Sequence, residues 1–312
     1  MTTLNLVRPE LRRFLSDYPV SVMTEEALRR LRANPLPVPE VAATPGLAVT
    51  EAHVPGPDGA PPVRVLIYQP TAVPAPRPAI LHMHGGGYVV GSPEMSDAAN
   101  HALAAGLGCV IVSVDYRLPP ETPFPGPLED CYAALKWTYD HAGELGVDPA
   151  RLAVKGESAG GGLAAGLALL ARDQAEVPVA FQCLTYPMID DRPAAEPHPF
   201  TGEFIWTPES NRFGWSAYLG HEPGGDGVSP YAAAARADDL IALPPAWIAA
   251  ASLDLFLEED LDYARRLIRA GVPTDVRVYS GAYHGFPMAG DTEIYRGYVR
   301  DCMEALAAGL SA

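Results

Sequence analysis

Arg151-Leu152-Ala153-Val154-Lys155-Gly156-Glu157-Ser158-Ala159-Gly160-Gly161 passes from an apolar, strand-like run into an Ala/Leu/Gly-rich, helix-like run that continues to Ala171. Ser158 stands at the junction, with Gly156 two residues before it and Gly160 two after. A serine hydroxyl is a poor nucleophile at neutral pH, so a chain that uses one must hold it on a sharp strand-to-helix turn. There it is exposed to a base and lies beside the first N–H groups of the helix. Glycines at both flanks suit such a turn, because strand and helix approach there too closely for a β-carbon. In a chain with 29 glycines the bare pattern arises by chance roughly 0.1 times. Its meaning therefore rests on context, namely the strand–turn–helix junction and three further segments.

The first of these follows an apolar run at Ala79–Met83: His82-Met83-His84-Gly85-Gly86-Gly87-Tyr88. A triple glycine there exposes backbone N–H groups that can meet a developing oxyanion without side-chain obstruction, and Gly86, Gly87 and Ala159 are the expected donors. His82 and His84 stand at i and i+2, yet no third ligand at a sensible spacing joins them, so no metal site is expected. His84 is expected to anchor the loop by hydrogen bonding. The second segment is Asp254, just past the apolar strand Ala246–Ala251. It is expected to be the acid, although an aspartate there also suits a helix cap. Glu258, Glu259, Asp260, Asp262, Asp190 and Asp191 are the fallback acids. The third is His284, thirty residues later on a glycine-flanked loop after the last strand, expected to be the general base. The order Ser, Asp, His is that of the α/β-hydrolase fold. The histidines at 53, 101, 141, 198 and 221 have no comparable setting.

Around these parts the chain alternates. Ala48–Val54, Val63–Tyr68, Ala79–Met83, Cys109–Val114, Ala180–Tyr186, Ala246–Ala251 and Asp275–Tyr279 read as strands, and Cys109–Val114 has the fully apolar look of a central parallel strand. Helices are expected near Met95–Gly106, Leu128–His141, Glu258–Ala270 and Thr292–Leu306. Two short amphipathic patterns, Leu4–Leu15 and Thr24–Leu31, precede the proline-rich Asn34–Pro39 and read as a separate helical piece. From Pro187 to about Ala235 the pattern breaks into an irregular stretch too long for a plain loop. It carries Phe204, Trp206, Phe213, Trp215 and Tyr218, aromatics expected to roof an apolar pocket or dock a cap. The expected architecture is a mainly parallel sheet covered by helices on both faces.

HGGGYVVGS at 84–92, DYRLPPETPFP at 115–125, GESAGGG at 156–162, the strand end at Asp254 and YHGF at 283–286 together resemble the hormone-sensitive-lipase-like carboxylesterases of bacteria. The resemblance runs from about residue 60 to the C-terminus. It implies an α/β-hydrolase fold with Ser158 as nucleophile, Asp254 and His284 as its partners, and Gly86, Gly87 and Ala159 as oxyanion donors. It also implies a helical cap from residues 1–45 and 188–235 over a catalytic domain of 46–187 and 236–312. Tyr88, Tyr186, Phe204, Trp206 and Phe213 are the expected substrate-binding residues. Glu157 stands where that family often has Asp, and the segment after Asp254 lacks the family's usual proline and arginine.

Function follows as hydrolysis of small to medium acyl-chain carboxylic esters through an acyl-enzyme, with no cofactor. An amidase or formamidase would use the same triad, and a catalytically silent ligand binder would have lost part of it. A chain of 312 residues, 48% hydrophobic and without internal repeats, can bury one large core. Its net charge of −16 disfavours nucleic acid and anionic membrane as partners. Cys109, Cys131, Cys183 and Cys302 lie far apart in sequence and are expected to be reduced and buried. No apolar leader and no membrane-length run is apparent, so the expected compartment is the cytoplasm, with a homodimer left open.

Overall fold

Val110–Asp115 places Val110, Val112 and Val114 in one apolar cluster and Ile111 in another, the double burial that marks a central strand. In the computed structural model, which describes residues 3–18, 20–35, 38, 40–57, 59–192 and 198–311, this is the fourth of eight strands in one sheet. The strands are β1 (Leu47–Val54), β2 (Val63–Pro70), β3 (Arg77–Met83), β4 (Val110–Asp115), β5 (Val147–Glu157), β6 (Phe181–Thr185), β7 (Ala246–Ala251) and β8 (Thr274–Tyr279). Their order across the sheet is β1-β2-β4-β3-β5-β6-β7-β8. Only β2 runs against its neighbours; from β4 to β8 every pairing is parallel.

The helices are α1 (Pro9–Asp17), α2 (Glu25–Ala33), α3 (Asp97–Leu107), α4 (Gly126–Asp140), α5 (Ala142–Leu145), α6 (Ala159–Gln174), α7 (Pro208–Leu219), α8 (Leu257–Arg269) and α9 (Glu293–Gly309). Leu128 and Leu135 of α4, Leu163 and Leu167 of α6 and Tyr263 and Leu267 of α8 share a cluster with Leu81, Val112 and Val154. On the opposite face Leu11 of α1, Leu103 of α3 and Tyr298 and Leu306 of α9 pack with Ile80, Ile111 and Ala153. The sheet is thus sandwiched between two helical layers, the arrangement a parallel sheet needs to bury both faces. Because β3, β5, β6, β7 and β8 run in one direction, the loops that follow them collect along one edge.

Two expectations need correction. The stretch from 188 to 235 is not irregular throughout, since α7 lies within it. Thr207 caps that helix by accepting from Ser210 N, Pro208 occupies its first turn, and Ser210, Gly214, Trp215 and Tyr218 form its buried side. The signal was local and legible, but the aromatics around it mask a helical period. The N-terminal piece is also not separate: Arg8 N donates to Gly281 O and the Tyr283 hydroxyl to Leu11 O, seating α1 against the segment that leads into His284. Pro9 opens α1, so the pattern from Leu4 divides into a short 3-10 turn, Leu4–Leu6, and the helix proper. Of the proline-rich stretch, Leu36, Pro37 and Pro39 lie outside the described residues. Among the described residues no helix is long and apolar enough to cross a membrane.

Candidate active site

β5 ends at Glu157 and α6 begins at Ala159, leaving Ser158 alone to reverse the chain, with φ 57° and ψ −121°. A side chain is rarely tolerated in that conformation, and neighbours must over-determine it. Ser158 N donates to Thr185 O at 2.9 Å, and Ser158 O accepts from Gly162 N and Met188 N at 3.0 Å each. The flanking glycines are there for space. A β-carbon on Gly156 would collide with the backbone of Gly160, and one on Gly160 with Met83 O.

Ser158 Oγ lies 2.9 Å from His284 Nε2, and His284 Nδ1 lies 2.8 Å from Asp254 Oδ2. The three residues are 6%, 6% and 1% exposed. Asp254 Oδ1 also accepts from Phe256 N at 3.2 Å, a bond within the turn that leads into α8; the N-cap position of that helix is Phe256, so Asp254 does not cap it. With Nδ1–H given to Asp254, the lone pair of Nε2 faces the serine. Phe256 and Tyr186 meet the imidazole edge-on at 5.1 and 4.9 Å between ring centres, and Trp206 lies at 6.4 Å. None of the fallback acids is hydrogen-bonded to His284: Glu259 accepts from Ile189 N and Asp190 N, and Asp191 pairs with Arg236.

The glycine loop passes beside Ser158, with a β-carbon position on Gly85 falling 3.5 Å from Ser158 Cβ. Among the described residues the N–H groups of Gly86, Gly87 and Ala159 donate to no protein group. The indole of Trp206 occupies the space a side chain on Gly87 would need, and its Nε1 donates to Asn211 Oδ1 at 3.1 Å. Tyr88 is wholly buried, stacked on Tyr218 with centroids 3.9 Å apart and donating to Met188 O, so it anchors the loop to the insertion and presents no surface to a substrate. Phe204 packs on Tyr283, and Phe213 is half-buried on α7. Arg32 of α2 donates to Val89 O, Pro119 O and Glu121, pinning the far end of the loop.

His82 and His84 part company. His84 stacks on Tyr116 at 4.3 Å, and its Nδ1 lies 2.8 Å from Gly85 O, which gives the loop its anchor. Burial pulls its pKa down to about 4. His82 instead has Nε2 at 3.0 Å from Glu157 Oε2 and Nδ1 at 2.8 Å from Ser113 Oγ. Burial lowers its pKa too, against the pull of Glu157. The other oxygen of Glu157 accepts from Lys155 Nζ, and Lys155 is buried. Burial raises the Glu157 carboxyl, but Lys155 and His82 outweigh it and hold it well below the usual carboxylate range. Burial likewise pulls Lys155 down, and the surrounding charges, Glu157 foremost, reverse that. Sequence reasoning did not single out Lys155, although a lysine inside an otherwise buried strand run is itself a signal that an acid waits nearby. The four cysteines are free and buried.

The model of a family described as the alpha/beta hydrolase fold matches residues 80–288, a span that takes in the glycine loop, Ser158, Asp254 and His284. Esterase LipI of Mycobacterium tuberculosis is 32% identical over 98% of this chain and 94% of its own length. Carboxylesterase NlhH of the same organism is 36% identical over 92% of each. Among solved structures, a bacterial heroin esterase superposes with a TM-score of 0.92 at 37% identity, covering all of both chains. The chain therefore belongs to the α/β-hydrolase fold family, in keeping with the hormone-sensitive-lipase-like pattern of its motifs.

Proposed function

We propose that this chain hydrolyses carboxylic esters through an acyl-enzyme on Ser158. The observation that carries the reading is the unbroken series Ser158 Oγ, His284 Nε2, His284 Nδ1, Asp254 Oδ2, with the N–H groups of Gly86, Gly87 and Ala159 donating to no group among the described residues. As Oγ attacks the ester carbonyl carbon, its proton passes to Nε2, and Asp254 stabilises the resulting imidazolium. The carbonyl oxygen gains the negative charge and takes hydrogen bonds from Gly86, Gly87 and Ala159. These donors act most strongly where charge develops. The imidazolium then protonates the departing alkoxide. A water, deprotonated by the same nitrogen, cleaves the acyl-enzyme and releases the carboxylic acid.

Residues 1–45 and 188–235 form the cap in this reading. Its supports are the bonds that tie the two segments together, from Thr3 N to Glu203 Oε2 at 2.7 Å and from Met23 N to Ser210 Oγ at 2.9 Å. In this reading Trp206, Phe213, Tyr186 and Phe204 bound the acyl pocket, and a roofed site favours acyl chains of about two to eight carbons. The relatives' names, esterase and carboxylesterase, favour ester over amide turnover, and the four free, buried cysteines suit a cytoplasmic enzyme. A panel of p-nitrophenyl esters of graded chain length, run beside matched anilides, tests the reading. Ester turnover that is insensitive to EDTA and abolished by Ser158→Ala is expected. Full activity in that variant, or anilides turned over faster than esters, would overturn it.

A further inference from the structure

The proposed chemistry leaves a buried ionic group unused. Ser113 on β4, His82 on β3 and Lys155 on β5 stand in direct register across three adjacent strands, on the face covered by α3 and α9. Glu157 is two residues beyond Lys155 on that same face and is the last residue before Ser158. One of its oxygens takes Lys155 Nζ and the other lies 3.0 Å from His82 Nε2, while His82 Nδ1 faces Ser113 Oγ at 2.8 Å and Asn100 Nδ2 at 3.4 Å. A neutral imidazole satisfies the set, donating from Nε2–H to Glu157 and accepting at Nδ1. Charge then balances as one ammonium against one carboxylate.

None of the three side chains is hydrogen-bonded to Ser158, Asp254 or His284. What they join is the base of the two loops that must meet at the carbonyl. Glu157 precedes the nucleophile directly, and His82 precedes Gly86 by four residues at the end of β3. We propose that Lys155, Glu157 and His82 form a buried brace that sets the spacing between the nucleophile turn and the glycine loop, with Glu157 as the positioning residue. This inference rests on the esterase reading above. Its physical basis is that the bond from His82 to Glu157, shielded from water, is directional and costly to break whether or not its acceptor is charged, so it confines the residue before a left-handed serine more tightly than apolar packing can, while Lys155 balances the charge of the carboxylate. Because the oxyanion donors matter most in the transition state, a misplaced turn should lower kcat and leave KM nearly unchanged.

Single removal of either charge strands the other, so the test uses paired substitutions. Lys155→Met with Glu157→Gln abolishes both charges yet keeps an amide oxygen for His82. Lys155→Met with Glu157→Leu removes the bond as well. On p-nitrophenyl butyrate the Gln pair should stay within roughly threefold of wild-type kcat. The Leu pair should lose roughly 10- to 100-fold in kcat, with KM within about twofold and an unchanged melting temperature. His82→Phe cuts the same bond from the other strand and should reproduce the Leu pair's loss; it decides the matter if the Leu pair does not fold. Wild-type kcat in a folded Leu pair or in His82→Phe, or a loss carried by KM, would overturn the brace. An inactive wild-type enzyme, by contrast, would overturn the esterase reading itself and the brace with it.

Discussion

The turn at Gly156–Gly160 and the insertion around α7 both border His284, but they are specified in different ways. At the turn, backbone space decides: Gly156 and Gly160 admit no β-carbon, and Ser158 is held at φ 57° by three main-chain hydrogen bonds. In the insertion, side chains decide, with Tyr88 packed against both Tyr218 and Trp215 and Trp206 resting on Gly87. A region specified by steric exclusion leaves a short, strict sequence pattern. A region specified by packing accepts many apolar solutions and leaves almost none.

That contrast is most sharply broken at the nucleophile. Ser158→Ala should cut kcat by about 10⁴ to 10⁶ with the fold and melting temperature preserved, because it removes an atom and no backbone constraint. Asp254→Asn comes next, with a loss of about 10³ to 10⁴ in kcat from an imidazole in the wrong tautomer, whereas Glu258→Gln should be neutral. Steady-state kinetics on one ester separates the two, and the reverse ranking would misassign the acid.

On the packing side, Tyr218→Ala should cost about 3 to 5 kcal/mol of stability in urea unfolding, since it opens a cavity under Tyr88. A smaller effect should come from His84, whose burial holds its pKa near 4. The folded state then binds fewer protons than the unfolded one below the ordinary histidine value of about 6.5. Its contribution is full above about pH 6.5 and is lost as pH falls toward about 4, amounting to at most about 3 kcal/mol. Urea midpoints of wild type and His84→Gln should therefore converge as pH falls from 7.5 to 5. Smallest is Trp206→Ala, which should move the preferred acyl chain longer, each added methylene gaining up to about 0.8 kcal/mol until a new wall is met. An unshifted profile would leave the indole as a packing element of the glycine loop alone.

Much of this was open to reading in the chain. The run at Cys109–Val114, apolar but for Ser113, announced a central strand, and the elbow, the glycine loop, Asp254 and His284 each carry their setting in adjacent residues. Less was legible where neighbours are distant. Thr207-Pro208 marked the start of α7, but the aromatics that follow serve a partner on β3's loop and so do not keep a clean helical period. Tyr88, expected at the substrate, is wholly buried against the insertion, and nothing next to it in sequence marks Tyr218 or Trp215 as its partners.

The sequence alone determined what depends on short-range sterics and hydrogen bonding: the alternation of strand and helix, the sharp turn at Ser158, and the chain order Ser158, Asp254, His284. Tertiary structure decided which distant groups meet. It brought Nε2 of His284 to 2.9 Å from Ser158, seated α1 beneath the His284 loop, and lined up Ser113, His82 and Lys155 across three strands so that a buried lysine found Glu157. The reason is one of range. A β-carbon clash or a cap acts over a few residues and is written where it acts, whereas strand register is set by the whole sheet, and no residue on β3 carries a local mark of what lies beside it on β5.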